Sequence, residues 1–528
     1  MDKRLFLSGN EAVAIAAKDA GVSLGVGYPG TPSTEILENF AEFGGRAQWA
    51  PNEKVALEVA IGAAFCKSRV ISTMKHVGLN VAADPLYTVA YSGTPGGLVC
   101  VVADDPGMAS SQNEQDTRRH AVAAGVPVLE PSDSQEAYDF TIKAIELAEK
   151  FNTLVILRVT TRICHSKCIV ERAEKVSTEP VKEFIKDIKN RVMIPAYARM
   201  AHRKMRQRLA DIQAINEESD FNKIIKGAND ELGIICSGIS YVHCRDAAPE
   251  ANILKIGLTY PLPIEKMRKF AESVKRCVVV EEGDPHLYEA CKVNNINVEG
   301  KDEMYRFGEL DVNRVKRILA KDTTPEEPPK PGKPPQLCVG CPHRISYEIL
   351  RDLDCIVSGD IGCYTLGVLP PFQAIDAVVC MGASIGMGLG MRASLPESDA
   401  RRVVSVIGDS TFMHTGLNGI TEMVYNRPET GHLVIILDNA TTAMTGLQEH
   451  PGTGRKLDYT TANKIKIEDS VKGLGVDHCD VVDPLKDKDG LKALIEKRLA
   501  SNDLSVIVVR RPCILALAKD KKMAEKNA

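Results

Sequence analysis

A chain of 528 residues is long enough for about three domains at the usual ~150 residues each, and its 44% hydrophobic and 26% charged composition is that of a soluble globular protein. A net charge of −4 gives no support to a nucleic-acid partner, and no apolar run approaches the ~18 residues a membrane span needs. The N-terminus lacks the apolar core of a signal peptide, so the 15 cysteines point to reduced thiols or metal ligands, with the cytoplasm as the expected compartment, rather than to a disulfide framework.

In chain order, residues 1–175 read as alternating strands and helices, hence a doubly wound parallel sheet with strands at 70–74, 98–103 and 154–159. Three strand-end turns are unusual. Residues 28–34 (YPGTPST) lead into a helix that Ser33 or Thr34 can cap, with Glu35 in its first turn. Residues 74–80 (MKHVGLN) place a Lys, a His and an Asn just past a strand. Residues 104–116 are too long and polar for a plain connection, which predicts a functional loop. Between the first two turns, residues 52–64 form a helix with small residues on one face, suited to close packing against a second subunit or domain. Glu53 begins it, and Glu58 follows about a turn and a half later as an ordinary solvated carboxylate.

Residues 176–230 read as a connector whose basic centre, 199–208, has helical periodicity and acidic flanks, favouring a solvated helix over an RNA contact. A smaller αβ unit spans 231–322, with strands at 233–237 and 277–281. The Pro-rich stretch 323–336 is an extended linker and the clearest boundary.

Residues 337–528 carry most of the chemistry. A strand at 403–407 stops in a tight turn at Gly408, Asp409 and Ser410, a helix follows, and a second strand at 433–437 stops at Asp438 and Asn439. Parallel strands joined by a helix put both turns at one carboxyl edge, where open α/β folds bind ligands. A carboxylate and an amide there are hard oxygen donors that suit Mg²⁺, although Asp, Asn and Gly also favour ordinary turns. Four thiols form a second set. Cys338 and Cys341 make a CxxC directly after the linker, while Cys363 and Cys513 follow strand-like runs. A lone CxxC fits a zinc half-site, a redox pair or chance, and zinc would want a second close pair. Four thiolates from such positions can instead complete a [4Fe–4S] cluster without compact ferredoxin spacing. Cys66, Cys100, Cys236 and Cys380 lie in apolar stretches and read as core thiols.

The 408–441 stretch resembles the diphosphate motif of thiamine diphosphate (ThDP) enzymes, with Ser410 in place of a Gly and Asp438 in place of an Asn. The resemblance implies Mg²⁺ ligands at Asp409, the Asn439 side chain and the Thr441 carbonyl. The glycine-rich stretch 381–390 is similar to the helix preceding that motif, so Met381 and Gly382 join Gly408 and Ser410 as cofactor contacts. The family also carries a Glu at the start of a small-residue helix, nine residues before a Gly, and Glu53 and Gly62 match. Residues 231–322 resemble a transketolase C-terminal-type domain. The implied class is α/β, with a pyrimidine-binding ThDP domain (1–175) and a diphosphate-binding one (337–528) flanking the transketolase-like unit.

Longer pieces (YPGTPSTEI, NEKVALEVAIGAA, MKHVGLNVAADP, CVGCPHR, GDIGCYTLG, CMGASIGM) resemble the ThDP-binding subunits of indolepyruvate:ferredoxin oxidoreductases, within the 2-oxoacid:ferredoxin oxidoreductase superfamily. That resemblance implies that Cys338, Cys341, Cys363 and Cys513 hold the cluster nearest ThDP. It further implies that Glu53 bonds the aminopyrimidine N1′ and that Thr31 contacts the substrate carboxylate. Oxidative decarboxylation of an arylpyruvate would send electrons singly to the cluster and the acyl group to coenzyme A. His76, His343 and His414 stay open as proton donors, phosphate contacts or structural residues. Implied partners are a smaller β (γ-type) subunit, a second copy of this chain, and ferredoxin or another carrier. The family's larger subunit usually ends in a ferredoxin-like tail, which this sequence lacks, so a separate iron–sulfur or flavin acceptor is expected. A non-oxidative ThDP decarboxylase or a non-catalytic scaffold are the rival readings.

Overall fold

The computed structural model describes residues 3–173, 182–327 and 335–527; the boundary expected at 175/176 and half of the predicted linker lie outside them. The chain forms two compact units, Met1–Glu327 and Pro328–Ala528.

In the first unit, β-branched runs build a seven-stranded sheet in the order Leu258–Tyr260, Val128–Leu129, Leu154–Thr160, Leu98–Asp104, Val70–Lys75, Leu24–Gly27, Ala47–Trp49. Every pairing is parallel except that of the Leu258–Tyr260 edge. The three predicted strands are present, each one residue longer than expected. Their residues are buried throughout, as strands covered on both faces must be. The first helix, Gly9–Asp19, is fixed by a capping box in which Ser8 and Glu11 exchange side-chain and backbone bonds.

The predicted cap of the second helix is corrected. Thr34–Glu42 starts after a Ser33 that is already in helical conformation, so the Ser33 hydroxyl cannot reach forward and donates back to the Gly30 carbonyl at 2.9 Å. The basic segment does form a helix, Pro195–Asn216, but one face is buried through Ala201, Met205, Leu209 and Ile212. Arg208 on that helix donates to the carbonyls of Ala90 (2.6 Å) and Asn152 (2.5 Å), which stand at the ends of two other helices. Part of this charge therefore caps helices and is not solvated.

A four-stranded sheet follows in the order Arg276–Val280, Leu232–Ser237, Asn252–Ile256, Lys223–Ile225, the last strand antiparallel. A buried ion-pair network lies at the larger sheet and reaches the smaller one through Glu281. Arg118 bonds Asp116 (2.6 Å) and Glu281 (2.9 Å), and Arg158 bonds Asp104 (2.7 Å) and Glu130 (2.6 Å). Removing one partner of such a pair strands a buried charge, at a cost of about 3–5 kcal/mol.

The second unit is one parallel five-stranded sheet in the order Ile356–Ser358, Val403–Gly408, His432–Asp438, Leu504–Arg510, His478–Val482. Apolar clusters cover both of its faces. Two local expectations change. Asp409 is not in a turn but is the first residue of a helical run that continues through a π-helical turn, Phe412–Gly416, into Leu417–Tyr425. The glycine-rich helix begins at Ser384, so Met381 and Gly382 lie in the loop before it.

Candidate active site

In the second unit, the strands Val403–Gly408 and His432–Asp438 pair in parallel with Gly408 opposite Leu437, which sets Asp409 level with Asp438 and next to the turn that Asn439 begins. Asp409 Oδ1 accepts the Ser410 N–H at 2.9 Å and Oδ2 accepts the Ala440 N–H at 2.8 Å. His450 Nε2 lies 3.2 Å from the same Oδ2, a contact that strand-end reasoning missed because His450 comes from a later loop. Burial raises the Asp409 pKa, but His450 and the backbone donors outweigh it and hold the carboxyl below its ordinary range. Asp438 goes the other way. Burial and the Asp409 charge push it up, against Arg510, which donates to its Oδ2 at 2.6 Å. The two neighbouring carboxyls are thus pushed in opposite directions, Asp409 down and Asp438 up.

Asn439 is held on three sides. Its Nδ2 lies 3.3 Å from His343 Nε2, its Oδ1 accepts the Thr441 N–H at 3.1 Å, and its carbonyl accepts the Cys513 N–H at 2.9 Å. An amide NH₂ only donates, so Nε2 accepts and the orientation of Asn439 is fixed. Burial drives the His343 pKa down to about 4 despite the nearby Asp409 charge, which keeps the ring neutral, as that acceptor role requires. A buried carboxylate, an amide oxygen and the Thr441 carbonyl make a hard-oxygen set that fits Mg²⁺.

Asp360 is a second residue that sequence reasoning overlooked, although it stands in the quoted GDIGC run. Its buried carboxylate accepts N–H groups from Gly382 (2.7 Å) and Ser384 (3.0 Å), pinning the Met381–Gly382 loop to the end of the first strand. Gly382 has φ +86°, and a Cβ there would collide with the Thr415 hydroxyl. At Gly408 a Cβ would lie 2.5 Å from the Tyr364 ring, so packing alone already requires this glycine. Ser410 Oγ is 2.7 Å from Thr442 Oγ1, and His414 is buried in the π-helical turn with Nδ1 3.3 Å from Thr415 Oγ1.

The four singled-out cysteines come from separate places. Cys338 and Cys341 share a turn closed by the Cys341 N–H on the Cys338 carbonyl (3.1 Å), Cys363 opens the short helix Cys363–Val368, and Cys513 precedes Ile514–Asn527. Burial, then the neighbouring thiols, push Cys363 up to about 12. Burial and its neighbours Cys338 and Cys513 push Cys341 up to about 11. The four are therefore electrostatic neighbours. Among the described residues, no three His, Cys, Asp or Glu side chains converge tightly enough to grip a single ion. Four thiols are the ligand type that a [4Fe–4S] cluster takes, and binding one would displace the thiol protons. Of the four cysteines read as core thiols, Cys100 and Cys236 are buried, but Cys66 is half-buried at a helix end and Cys380 is exposed in the loop before the glycine-rich helix.

In the first unit, Glu53 opens the helix Glu53–Phe65, capped by Asn52 Oδ1 on the Val55 N–H at 2.9 Å. Glu53 is only 6% exposed, whereas Glu58 is exposed and pairs with Lys54. The backbone of the helix His76–Val81 lies on the Glu53 carboxylate, since a Cβ at Gly78 would be 2.6 Å from Oε1. Thr31 is half-buried at the same carboxyl edge, and its carbonyl accepts from Ser110 Oγ at 3.3 Å. His76 is fully buried, with Nε2 3.0 Å from the Asn113 carbonyl and, among the described residues, no partner at Nδ1.

The family model described as thiamine pyrophosphate enzyme, C-terminal TPP binding domain, matches residues 360–509, and the pyruvate flavodoxin/ferredoxin oxidoreductase thiamine diphosphate-binding model matches 15–231. The indolepyruvate oxidoreductase subunit IorA of Pyrococcus abyssi is 38% identical over 97% of this chain and 86% of its own length. That of Methanothermobacter thermautotrophicus is 39% identical over 97% and 87%. A solved 2-oxoglutarate:ferredoxin oxidoreductase from Magnetococcus marinus shares the fold at TM-score 0.50 and 16% identity, over 61% of this chain and 65% of that one. The chain belongs to the family of indolepyruvate oxidoreductase subunits IorA, and with them to the thiamine diphosphate-binding oxidoreductases.

Proposed function

We propose that the chain, as the ThDP-binding subunit of a 2-oxoacid oxidoreductase, converts an aryl 2-oxoacid of the indolepyruvate type to the aryl-acetyl-CoA and CO₂, with electrons leaving through one [4Fe–4S] cluster to ferredoxin or a similar carrier. The observation that carries this reading is the bond from the Cys513 N–H to the Asn439 carbonyl. It joins the backbone of Asn439 to that of Cys513, one of the four-cysteine set, just past the ends of two paired strands. A non-oxidative decarboxylase has no use for such thiols.

In this reading residues 1–175 bind the aminopyrimidine, 231–322 form the transketolase-like unit, and 337–528 bind the diphosphate. Asp409, Asn439 and the Thr441 carbonyl would hold Mg²⁺, with Gly408, Ser410, Met381 and Gly382 around the diphosphate. Cys338, Cys341, Cys363 and Cys513 would hold the cluster. When bound, ThDP supplies a carbon that takes up the substrate's keto carbon and an electron sink for decarboxylation, and the cluster supplies a one-electron relay. Glu53 holds or yields a proton at the aminopyrimidine N1′, while its burial beneath Gly78 excludes water. Thr31 orients the substrate. The partners are a smaller β subunit, a second copy of this chain and the electron carrier.

The test is anaerobic purification with co-purifying partners, then reduction of a low-potential dye by an arylpyruvate. Reduction that requires both the arylpyruvate and coenzyme A is expected. Release of CO₂ and the aldehyde without dye reduction would replace this reading with a non-oxidative decarboxylase.

A further inference from the structure

Lys75 ends the strand Val70–Lys75 in the interior of the seven-stranded sheet, at its carboxyl edge, and is 8% exposed. Its ammonium donates to the Ser110 carbonyl at 2.9 Å. An ammonium has three N–H donors, and among the described residues no carboxylate closes an ion pair on this one. The nearest acidic groups act on it only through space. Asp105 is occupied elsewhere: Oδ2 takes the Ser110 N–H at 2.8 Å and the Ser111 hydroxyl at 2.6 Å, and Oδ1 takes the Thr161 hydroxyl at 2.9 Å. Glu53, the other acidic neighbour, is assigned to the aminopyrimidine. Burial pulls the Lys75 pKa down, with Asp105 and Glu53 only partly restoring it. A cation so placed without a direct counter-ion is costly unless an anion arrives to meet it.

The surroundings indicate which anion. The Tyr28–Thr34 turn lies along the lysine stem, since a Cβ at Gly30 would be 3.2 Å from Lys75 Cδ. Ser110 bonds the Lys75 ammonium through its carbonyl, and its hydroxyl lies 3.3 Å from both the Thr31 carbonyl and Asp105 Oδ2, so it stands between Lys75 and Thr31. The His76 ring, one residue on, holds the same loop at Asn113. Lys75 therefore stands beside Thr31 and within the field of Glu53, with donors to spare.

We infer that the Lys75 ammonium is the recognition group for the carboxylate of the 2-oxoacid substrate, an inference that rests on the functional reading above. No proton moves to or from Lys75. When the bond between the carboxyl and keto carbons breaks, its electron pair stays with the keto carbon and the carboxyl leaves as neutral CO₂. The ion pair is thus strong before the reaction and fades as it proceeds, so Lys75 acts mainly on substrate binding, and its loss raises KM more than it lowers kcat.

The test uses the full chain with its partners and begins with the wild-type protein. An unreactive aryl-substituted carboxylate should inhibit competitively with the arylpyruvate about tenfold or more better than its primary amide, the worth of a charge-assisted bond. Lys75→Gln should erase that preference and raise KM for the arylpyruvate by a similar factor, while leaving ThDP content and the KM for coenzyme A unchanged. Lys75→Arg should restore part of it. Equal inhibition by acid and amide in the wild-type protein overturns the inference without any variant, as does an unchanged KM in a folded Lys75→Gln. Absence of turnover with any 2-oxoacid in the wild-type protein overturns the functional reading itself, and this inference with it.

Discussion

Asp409 concentrates the chemistry of the second unit in one carboxylate, with two backbone donors and His450 holding it ionised. Asp409→Ala is expected to abolish ThDP retention while the sheet remains folded, measured as cofactor content and circular dichroism; full retention would remove the diphosphate assignment. Glu53→Gln keeps the size and one acceptor oxygen but loses the ionisable group. ThDP should stay bound while turnover falls about a hundredfold or more. Wild-type rates in that variant would mean the wrong carboxylate was chosen. Cys363→Ala or Cys513→Ala should strip most iron from the protein, since each thiol comes from its own element and has no near substitute. Iron content unchanged in both would place any cluster elsewhere.

At the scale of elements, strands and strand ends were readable from sequence because buried parallel strands are short runs of β-branched residues ended by polar ones. The runs at 70–74, 98–103 and 154–159 each came within one residue of the strand observed. Contacts made across the fold were not readable. His450 reaches Asp409 over 41 positions, and Asp360 reaches Gly382 over 22, and no local pattern encodes either pairing. Ser33 shows the same limit at short range. Its type predicts a cap, but its backbone is already helical. Packing between elements leads to a prediction at Gly78. Gly78→Ala would press a methyl group into the Glu53 carboxylate, so turnover should fall toward that of Glu53→Gln with ThDP still bound; unimpaired turnover would show that Glu53 has room to move.

The contact between the two sheets of the first unit gives a pH prediction. Burial raises the Glu282 pKa from its ordinary 4.5 to about 7, although the Leu310 N–H and the Arg158 charge favour ionisation. The folded state then keeps a proton that the unfolded chain loses. This contribution to stability is unchanged below pH 4.5, declines as pH rises from 4.5 to about 7, and stays at its full cost above that. Glu282→Gln retains an acceptor for Leu310 and removes the titration. Its melting temperature should gain on the wild type between pH 5 and pH 8, with a ceiling of roughly 3 kcal/mol. A gap that is the same at both pH values would contradict a buried, titrating Glu282.

For the whole molecule, the account requires two half-sites in one chain, an aminopyrimidine side at Glu53 and a diphosphate side at Asp409, together with a four-thiol set next to the latter. On the outer face of the Glu53 helix, a Cβ at Gly62 would meet nothing within 4 Å, which leaves room for a second copy of the chain at this small-residue face. Sedimentation of the anaerobically purified complex should therefore give at least two copies of this chain with the smaller subunit, and a fully active monomer would contradict that assembly. The most direct test of the central claim is to measure ThDP, iron and acid-labile sulfide per chain in the same anaerobic preparation. The account predicts one ThDP, four iron and four sulfide per chain, the composition of one [4Fe–4S] cluster. ThDP without iron and sulfide would contradict the oxidative reading, and a chain with none of the three would contradict both cofactor sites.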